Sequence, residues 1–330
     1  MSTLYLVEQG AKLAKASERL VVEKDGKVLV EIPAFKVERI LIYGNIQVTT
    51  QAIAFLLEKG IDTSFLSIYG KFRGRLAPKI SKNVLLRVAQ FERTKDEKFK
   101  IELARKIIEA KIRNACTVLA KYSSNHPEVD FSHYIAEMEK HINKLKRKEK
   151  ISTLLGVEGQ ASAVYFTAFP EMIRTEIDFK SRSRRPPKDP VNSLLSFCYT
   201  LLTNEIDSIL SAIGFDTYVG YLHGINYGRP SLALDVVEEF RHLAERFTLF
   251  LINNEVIRAE DFEKKEGGFY LTEKARKEFF AQYEKRMLKS FYYPEIKKNV
   301  NYREVFRHQA YKLAKVIQEG GDYKPFQPGG

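Results

Sequence analysis

The stretch from Tyr221 to His242, YLHGINYGRPSLALDVVEEFRH, holds the side chains best able to do chemistry. His223 sits in a glycine-rich turn, with Gly220, Gly224 and Gly228 around it. Pro230 and Ser231 then open a segment of helical periodicity, Pro being pre-organised for a first helical turn and Ser common near helix starts. At ~100° per residue, Asp235, Glu238, Glu239 and His242 fall on one face, with Val236, Phe240, Leu243 and Phe247 opposite. An acidic helix face alone is ordinarily a solvated surface. An imidazole delivered just upstream by a glycine turn changes that reading. His with carboxylates, and no cysteine nearby, suits an intermediate-to-hard divalent ion such as Mn²⁺ or Mg²⁺.

A further carboxylate has a setting of its own. In LLGVEGQASAVYFTAF, residues 154–169, Glu158 stands between Val157 and Gly159, about one helical turn from Ala161, Ser162 and Tyr165. Small residues let other backbone approach, and a carboxylate buried there needs a cation or a metal. The alternative is a first-turn Glu favoured by the helix dipole. Between the two motifs, FKSRSRRPPKDPVNSLLSFCYTLL clusters Lys180, Arg182, Arg184, Arg185 and Lys188 ahead of a helix that opens at Pro190-Val191-Asn192. A basic loop anchored to a rigid helix suits phosphate binding. KHINKLKRKEK, residues 140–150, is either a second phosphate-binding run or a solvated helix face.

These side chains need a scaffold, and the chain has length for one large domain or two ordinary ones: 330 residues, 44% hydrophobic and 12% aromatic. Residues 1–78 read as a small β domain. The runs Leu4–Val7, Arg19–Lys24, Lys27–Ile32, Arg39–Tyr43 and Ile61–Ile68 suit strands, with a hairpin turn at Asp25-Gly26 and one helix over Val48–Glu58. Residues 79–330 carry almost continuous helical periodicity and read as a large all-α catalytic domain, its Gly- and Pro-rich tail flexible from about residue 320. The fold class is therefore α+β. A net charge of +12 points to a polyanionic partner, nucleic acid first. Cys116 and Cys198 lie in apolar helical patterns and read as buried free thiols in a reducing compartment. The N-terminus lacks a signal-peptide pattern and no apolar run approaches ~20 residues, so a soluble intracellular protein is expected.

Three motifs stand in fixed order: Glu158 in LLGVEGQAS, the loop RRPPKDPVNSLL, and His223 with SLALDVVEEFR. Together they resemble the CRISPR-associated Cas1 proteins, the integrase subunit of spacer acquisition, across the whole helical region. The resemblance implies a prokaryotic, cytoplasmic DNA endonuclease and integrase that inserts protospacer DNA into the CRISPR repeat array by 3′-hydroxyl attack. It implies a metal site of Glu158, His223 and Glu238, holding Mg²⁺ or Mn²⁺. Asp235, Tyr165 and Asn192 match supporting positions, whereas His242 matches none and reads as a surface histidine. In many relatives the third ligand is Asp; Glu238 keeps the charge and adds a methylene. The implied assembly is a homodimer made by the β module and bridged by the small Cas2 subunit. Arg182 to Lys188 would contact DNA, with Lys144 to Lys150 second. A catalytically silent DNA-binding scaffold and a branched-DNA repair nuclease are the alternatives.

Overall fold

The β-branched runs of the N-terminal region do form strands. The computed structural model describes residues 2–76, 83–183 and 186–328. One four-stranded sheet has the order β1 (Ser2–Leu6), β5 (Val37–Tyr43), β7 (Asp62–Leu66), β8 (Phe72–Leu76). Its first three strands are parallel and β8 runs antiparallel to β7. A second has the order β4 (Lys27–Pro33), β3 (Arg19–Lys24), β2 (Lys12–Ala16), β6 (Gln47–Val48). The β3–β4 hairpin turns on Asp25 at φ 50° and Gly26 at φ 75°, the pair of left-handed residues that a two-residue type I′ turn demands. Helix α1 (Thr50–Glu58) starts where the Thr49 hydroxyl accepts from the Ala52 N–H. It buries Phe55 and Leu56 in a core with Leu13, Leu20, Val22, Ile40 and Ile42.

This first compact unit comprises residues 1–80 together with 260–264 and 270–286. The expected boundary at residue 78 falls among residues 77–82, outside those described. What the sequence did not announce is that helix α9 (Glu273–Leu288) packs in this unit through residue 286. Phe280 stacks on Tyr5 at 4.4 Å and lies 4.9 Å from Tyr43. Glu284 accepts from the Thr3 N–H and the Tyr5 hydroxyl, and Lys277 pairs with Glu8 at 2.9 Å. Tyr5 and Tyr43 present aromatic rings on the sheet, and Phe280 of α9 covers them, with Phe279 and Tyr283 buried beside it on the same helix.

The second unit is built on helices α2 (Val84–Arg93), α3 (Glu97–Asn125), α4 (Ser132–Leu145), α5 (Ile151–Ala168), α6 (Pro190–Ile213), α7 (Ser231–Val237), α8 (Arg241–Asn253) and α10 (Tyr302–Glu319). The chain beyond residue 83, read as all-α, is not purely so. Hairpins β9–β10 (Phe262–Lys265, Gly268–Leu271) and β11–β12 (Phe291–Tyr293, Lys298–Val300) interrupt it. The first of them turns on Glu266 and Gly267, both at positive φ. Helix α6 is the central element, with Leu194, Leu195, Cys198, Leu201 and Leu210 at 0% exposure. Within this core Arg303 of α10 makes two 3.0 Å hydrogen bonds to Glu205 of α6, both side chains buried. The run from Lys146 to Lys150 is no helix face: α4 ends at Leu145, and the Arg105 guanidinium donates to the carbonyls of Leu145 and Lys148 in the connection.

The tail also departs from expectation. Residues 321–328 have no regular secondary structure, yet Tyr323 and Phe326 are buried. Gly and Pro content signals the absence of helix or strand, but two aromatic anchors supply the apolar area that docks this segment.

Candidate metal centre

Helix α6 opens with Asp189 as N-cap and Pro190 at its first position. Its Asn192, fully buried, binds the preceding loop: Oδ1 accepts from the Ser183 N–H at 2.8 Å and the Arg182 guanidinium at 2.7 Å, and Nδ2 donates to the Ser181 carbonyl at 2.8 Å. Arg182 also donates to Ser196 Oγ at 3.1 Å and lies over the Tyr199 ring at 5.4 Å. Its guanidinium thus fastens the basic loop to the helix. Lys180 and Lys188 are exposed, while Arg184 and Arg185 lie outside the described residues.

The turn bearing His223 is held from two sides. Gln90 of α2 donates to the carbonyls of Asp216 and Val219 and accepts from the Asp216 N–H, and its own carbonyl takes the Tyr221 hydroxyl. From α7, the Asp235 carboxylate, 1% exposed, accepts the backbone N–H groups of Tyr221, Leu222 and His223 at 2.6, 3.0 and 2.8 Å. His223 Nδ1 lies 2.8 Å from Asp235 Oδ1. A carboxylate held by three N–H groups is an acceptor only, so in the neutral imidazole it is Nδ1 that carries the proton and Nε2 that has the lone pair. Gly220 is required here by close approach: a Cβ would meet Ser231 at 2.7 Å and the His223 carbonyl at 2.8 Å. Backbone cannot yield as a flexible side chain can. Gly220→Ala should therefore cost about 1–3 kcal/mol, read as a lower melting temperature.

Glu238 does not continue α7 as a regular helix. Residues 238–240 form a 3₁₀ turn between α7 and α8. All four polar residues that share this helix face are buried: Asp235 1%, Glu238 7%, Glu239 0% and His242 2%. They part company in direction. Glu238 meets Lys111 of α3, its Oε2 being 2.6 Å from Nζ, with Arg241 Nη1 3.4 Å from Oε1. Glu158 reaches the same Lys111 ammonium from the middle of α5, and Ser162 Oγ donates to its Oε1 at 2.8 Å. It is no first-turn residue. Burial pushes the Glu238 carboxyl up, but Lys111 and Arg241 outweigh burial and hold it down at about 2.

Glu239 turns away to the C-terminal tail. It accepts from the Tyr323 hydroxyl at 2.5 Å, the Phe326 N–H at 2.7 Å and Gln309 Nε2 at 2.8 Å. Burial nonetheless pushes its carboxyl up to about 7. Phe326 stacks on Phe240 and on His242, so His242 is a core residue. Tyr165, fully buried, faces Glu245 and Tyr199, and burial raises its hydroxyl's pKa well above the usual value. Tyr199 donates to Glu245 at 2.8 Å, and the Arg241 guanidinium lies 4.0 Å over its ring. Tyr165 thus packs beside Glu245 and Tyr199, while Asn192 ties the preceding loop to α6.

Lys111, Arg241 and Glu245 were not singled out in the sequence. Lys111 carried a signal, because it falls on the apolar stripe of Ile107, Ile108, Ile112 and Ala115. A lysine there requires a buried anion. The donor set of two carboxylates and an imidazole fits a divalent ion of the Mg²⁺–Mn²⁺ kind, and Glu158 and Glu238 already converge on one cation, the Lys111 ammonium. Among the described residues no three His, Cys, Asp or Glu side chains are drawn into metal-binding distance as they stand.

The chain thus has a strand-rich unit and a helical unit, the latter holding two carboxylates that meet at Lys111 and an imidazole anchored by Asp235. The chain belongs to the CRISPR-associated Cas1 family, whose model matches residues 4–285. The "CRISPR-associated endonuclease Cas1 3" of Thermus thermophilus is 37% identical over 99% of this chain and 97% of its own length. A casposase bound to its integration product superimposes with a TM-score of 0.87 at 25% identity, over 98% of this chain and 92% of that one. The chain of a Cas6-RT-Cas1–Cas2 complex matches with a TM-score of 0.84 at 26% identity, over 98% of this chain and 36% of that one. Divalent-metal dependence is a general property of this endonuclease family. Among the described residues no helix is long and apolar enough to cross a membrane.

Proposed function

We propose that this chain is a DNA integrase and endonuclease of CRISPR adaptation, with Glu158, His223 and Glu238 holding Mg²⁺ or Mn²⁺. The observation that carries the reading is the convergence of Glu158 and Glu238 on a single cation, with His223 fixed through Nδ1 by Asp235. When bound, the divalent ion neutralises the phosphodiester and makes an adjacent hydroxyl or water a better nucleophile. The chain's own residues do the positioning. Glu238 is ionised throughout the working pH range, and His223 presents the Nε2 lone pair. In strand transfer the protospacer 3′-oxygen forms a P–O bond as the bond to the leaving 3′-oxygen of the repeat breaks. No side-chain nucleophile is needed, because displacement at phosphorus depends on alignment and charge neutralisation.

The match to a chain of a Cas6-RT-Cas1–Cas2 complex supports a small Cas2 partner, and the casposase bound to its integration product supports an integration reaction, with protospacer and repeat DNA the proposed substrates. A homodimer made by the β unit completes the proposed assembly, which acts in the prokaryotic cytoplasm. Exposed Lys180 and Lys188 are the proposed phosphate ligands of the basic loop, joined by the 146–150 connection. Replacing both lysines by Ala should reduce the slope of log affinity against log salt by about 0.9 for each phosphate that a lysine neutralises in wild type. An unchanged slope would remove them from the DNA path.

The test of function is strand transfer into repeat-containing DNA with Mn²⁺ or Mg²⁺, comparing wild type with His223→Ala. DNA affinity is followed at fixed salt. The variant should bind DNA as wild type does and neither join nor cut. Equal activity in the two proteins would place the chemistry elsewhere, and loss of DNA binding with activity would make His223 a DNA-binding residue.

A further inference from the structure

Lys111, the cation on which Glu158 and Glu238 converge, has no part in the chemistry proposed above. It projects from α3 between two carboxylates, with its side chain 14% exposed. Nζ lies 2.6 Å from Glu238 Oε2 and against Glu158 Oε1. Those are oxygens that a divalent ion would claim, at about 2.0–2.2 Å. An ammonium this close leaves no room for both. Charge gives the same answer. Glu158 and Glu238 are already paired with Lys111 and Arg241, so a divalent ion added beside an unmoved lysine would bring two further positive charges to carboxylates that are already neutralised.

We propose that Lys111 is a resident counter-cation that occupies the metal position and must swing out for a divalent ion to enter. The inference rests on the metal site proposed above and assigns to it a built-in competitor. Two properties of lysine suit the task. Its ammonium satisfies acidic oxygens without the rigid fork of arginine, and its four-carbon stem moves without moving the helix. Arg241 is not equivalent: it reaches Glu238 at 3.4 Å, and its guanidinium is stacked over Tyr199. Lys111 thereby keeps the buried carboxylate Glu238 paired when no metal is present and sets a threshold for metal entry.

The test is Mn²⁺ binding by the full chain without DNA, with free Mn²⁺ followed by electron paramagnetic resonance at fixed pH and salt. Wild type, Lys111→Met, Lys111→Gln and His223→Ala are compared, and each is melted in EDTA and in Mn²⁺. Both lysine variants should bind Mn²⁺ at least about tenfold more tightly than wild type, since the ion no longer has to break two ammonium–carboxylate pairs, whose combined attraction counts for that much even when strongly screened. They should melt below wild type in EDTA, with the gap closing in Mn²⁺. The Gln variant keeps a polar, uncharged group beside Glu238, so the test survives if Lys111→Met fails to fold. If neither lysine variant gains affinity while His223→Ala loses it, the competitor is overturned and the metal site stands. If His223→Ala binds Mn²⁺ as wild type does, the metal site itself fails.

Discussion

Asp235→Asn should abolish most strand transfer and cleavage while leaving the chain folded, with a loss of at least about 10²-fold. The wild-type carboxylate takes four donors: three backbone N–H groups and His223 Nδ1–H. An amide of the same shape has one acceptor oxygen and one NH₂ group. Whichever way it is turned, two of the four donors face a donor. If the NH₂ group faces His223, the imidazole can satisfy it only by accepting at Nδ1, which moves the proton to Nε2 and removes the lone pair a metal would use. If it faces Tyr221 and Leu222, two buried N–H groups lose their partner at about 1–3 kcal/mol each, and the turn shifts. Both outcomes strike the position of His223. The measurement is single-turnover strand transfer beside DNA affinity and melting temperature. An Asn variant with wild-type rates would show that the Asp235 anchor is not needed for catalysis.

The largest loss of stability is expected far from the chemistry. Glu205→Ala should lower the stability of the helical unit by about 3–5 kcal/mol, because it leaves Arg303 buried without its bidentate partner. For a unit of this size that is a fall of roughly 10 °C in melting temperature. The double variant Glu205→Met, Arg303→Met removes both charges from the core and should recover most of the loss. A single variant that melts with wild type would mean that the pair is effectively hydrated.

How much of this was legible in the sequence depended on whether a local pattern decided the outcome. The Asp25-Gly26 hairpin, α1 and the helices from α2 to α6 were readable, since turn chemistry and apolar spacing act within a few residues. Strand β2, KLAKA, was not, because Ala and Lys have little intrinsic strand preference and pairing with β3 forms it. Likewise α9 reads as one more helix after α8, and only its aromatic face shows that it belongs with the sheet. At the site, His223, Glu158 and Glu238 were named through motif order and family resemblance. Periodicity put Asp235, Glu238, Glu239 and His242 on one helix face, and the 3₁₀ turn at 238–240 parts them within the core. Glu239 was thereby taken from the acid face and given to the tail, whose Tyr323 and Phe326 are the anchors a Gly- and Pro-rich composition conceals.

The central claim is that Glu158, His223 and Glu238 hold one catalytic divalent ion. It is tested most directly by anomalous X-ray scattering from crystals of the full chain equilibrated with Mn²⁺. A single strong peak should lie within bonding distance of all three side chains, with Lys111 withdrawn from between the carboxylates. A peak that touches none of them, or their carboxylates still closed on Lys111 at saturating Mn²⁺, would contradict it.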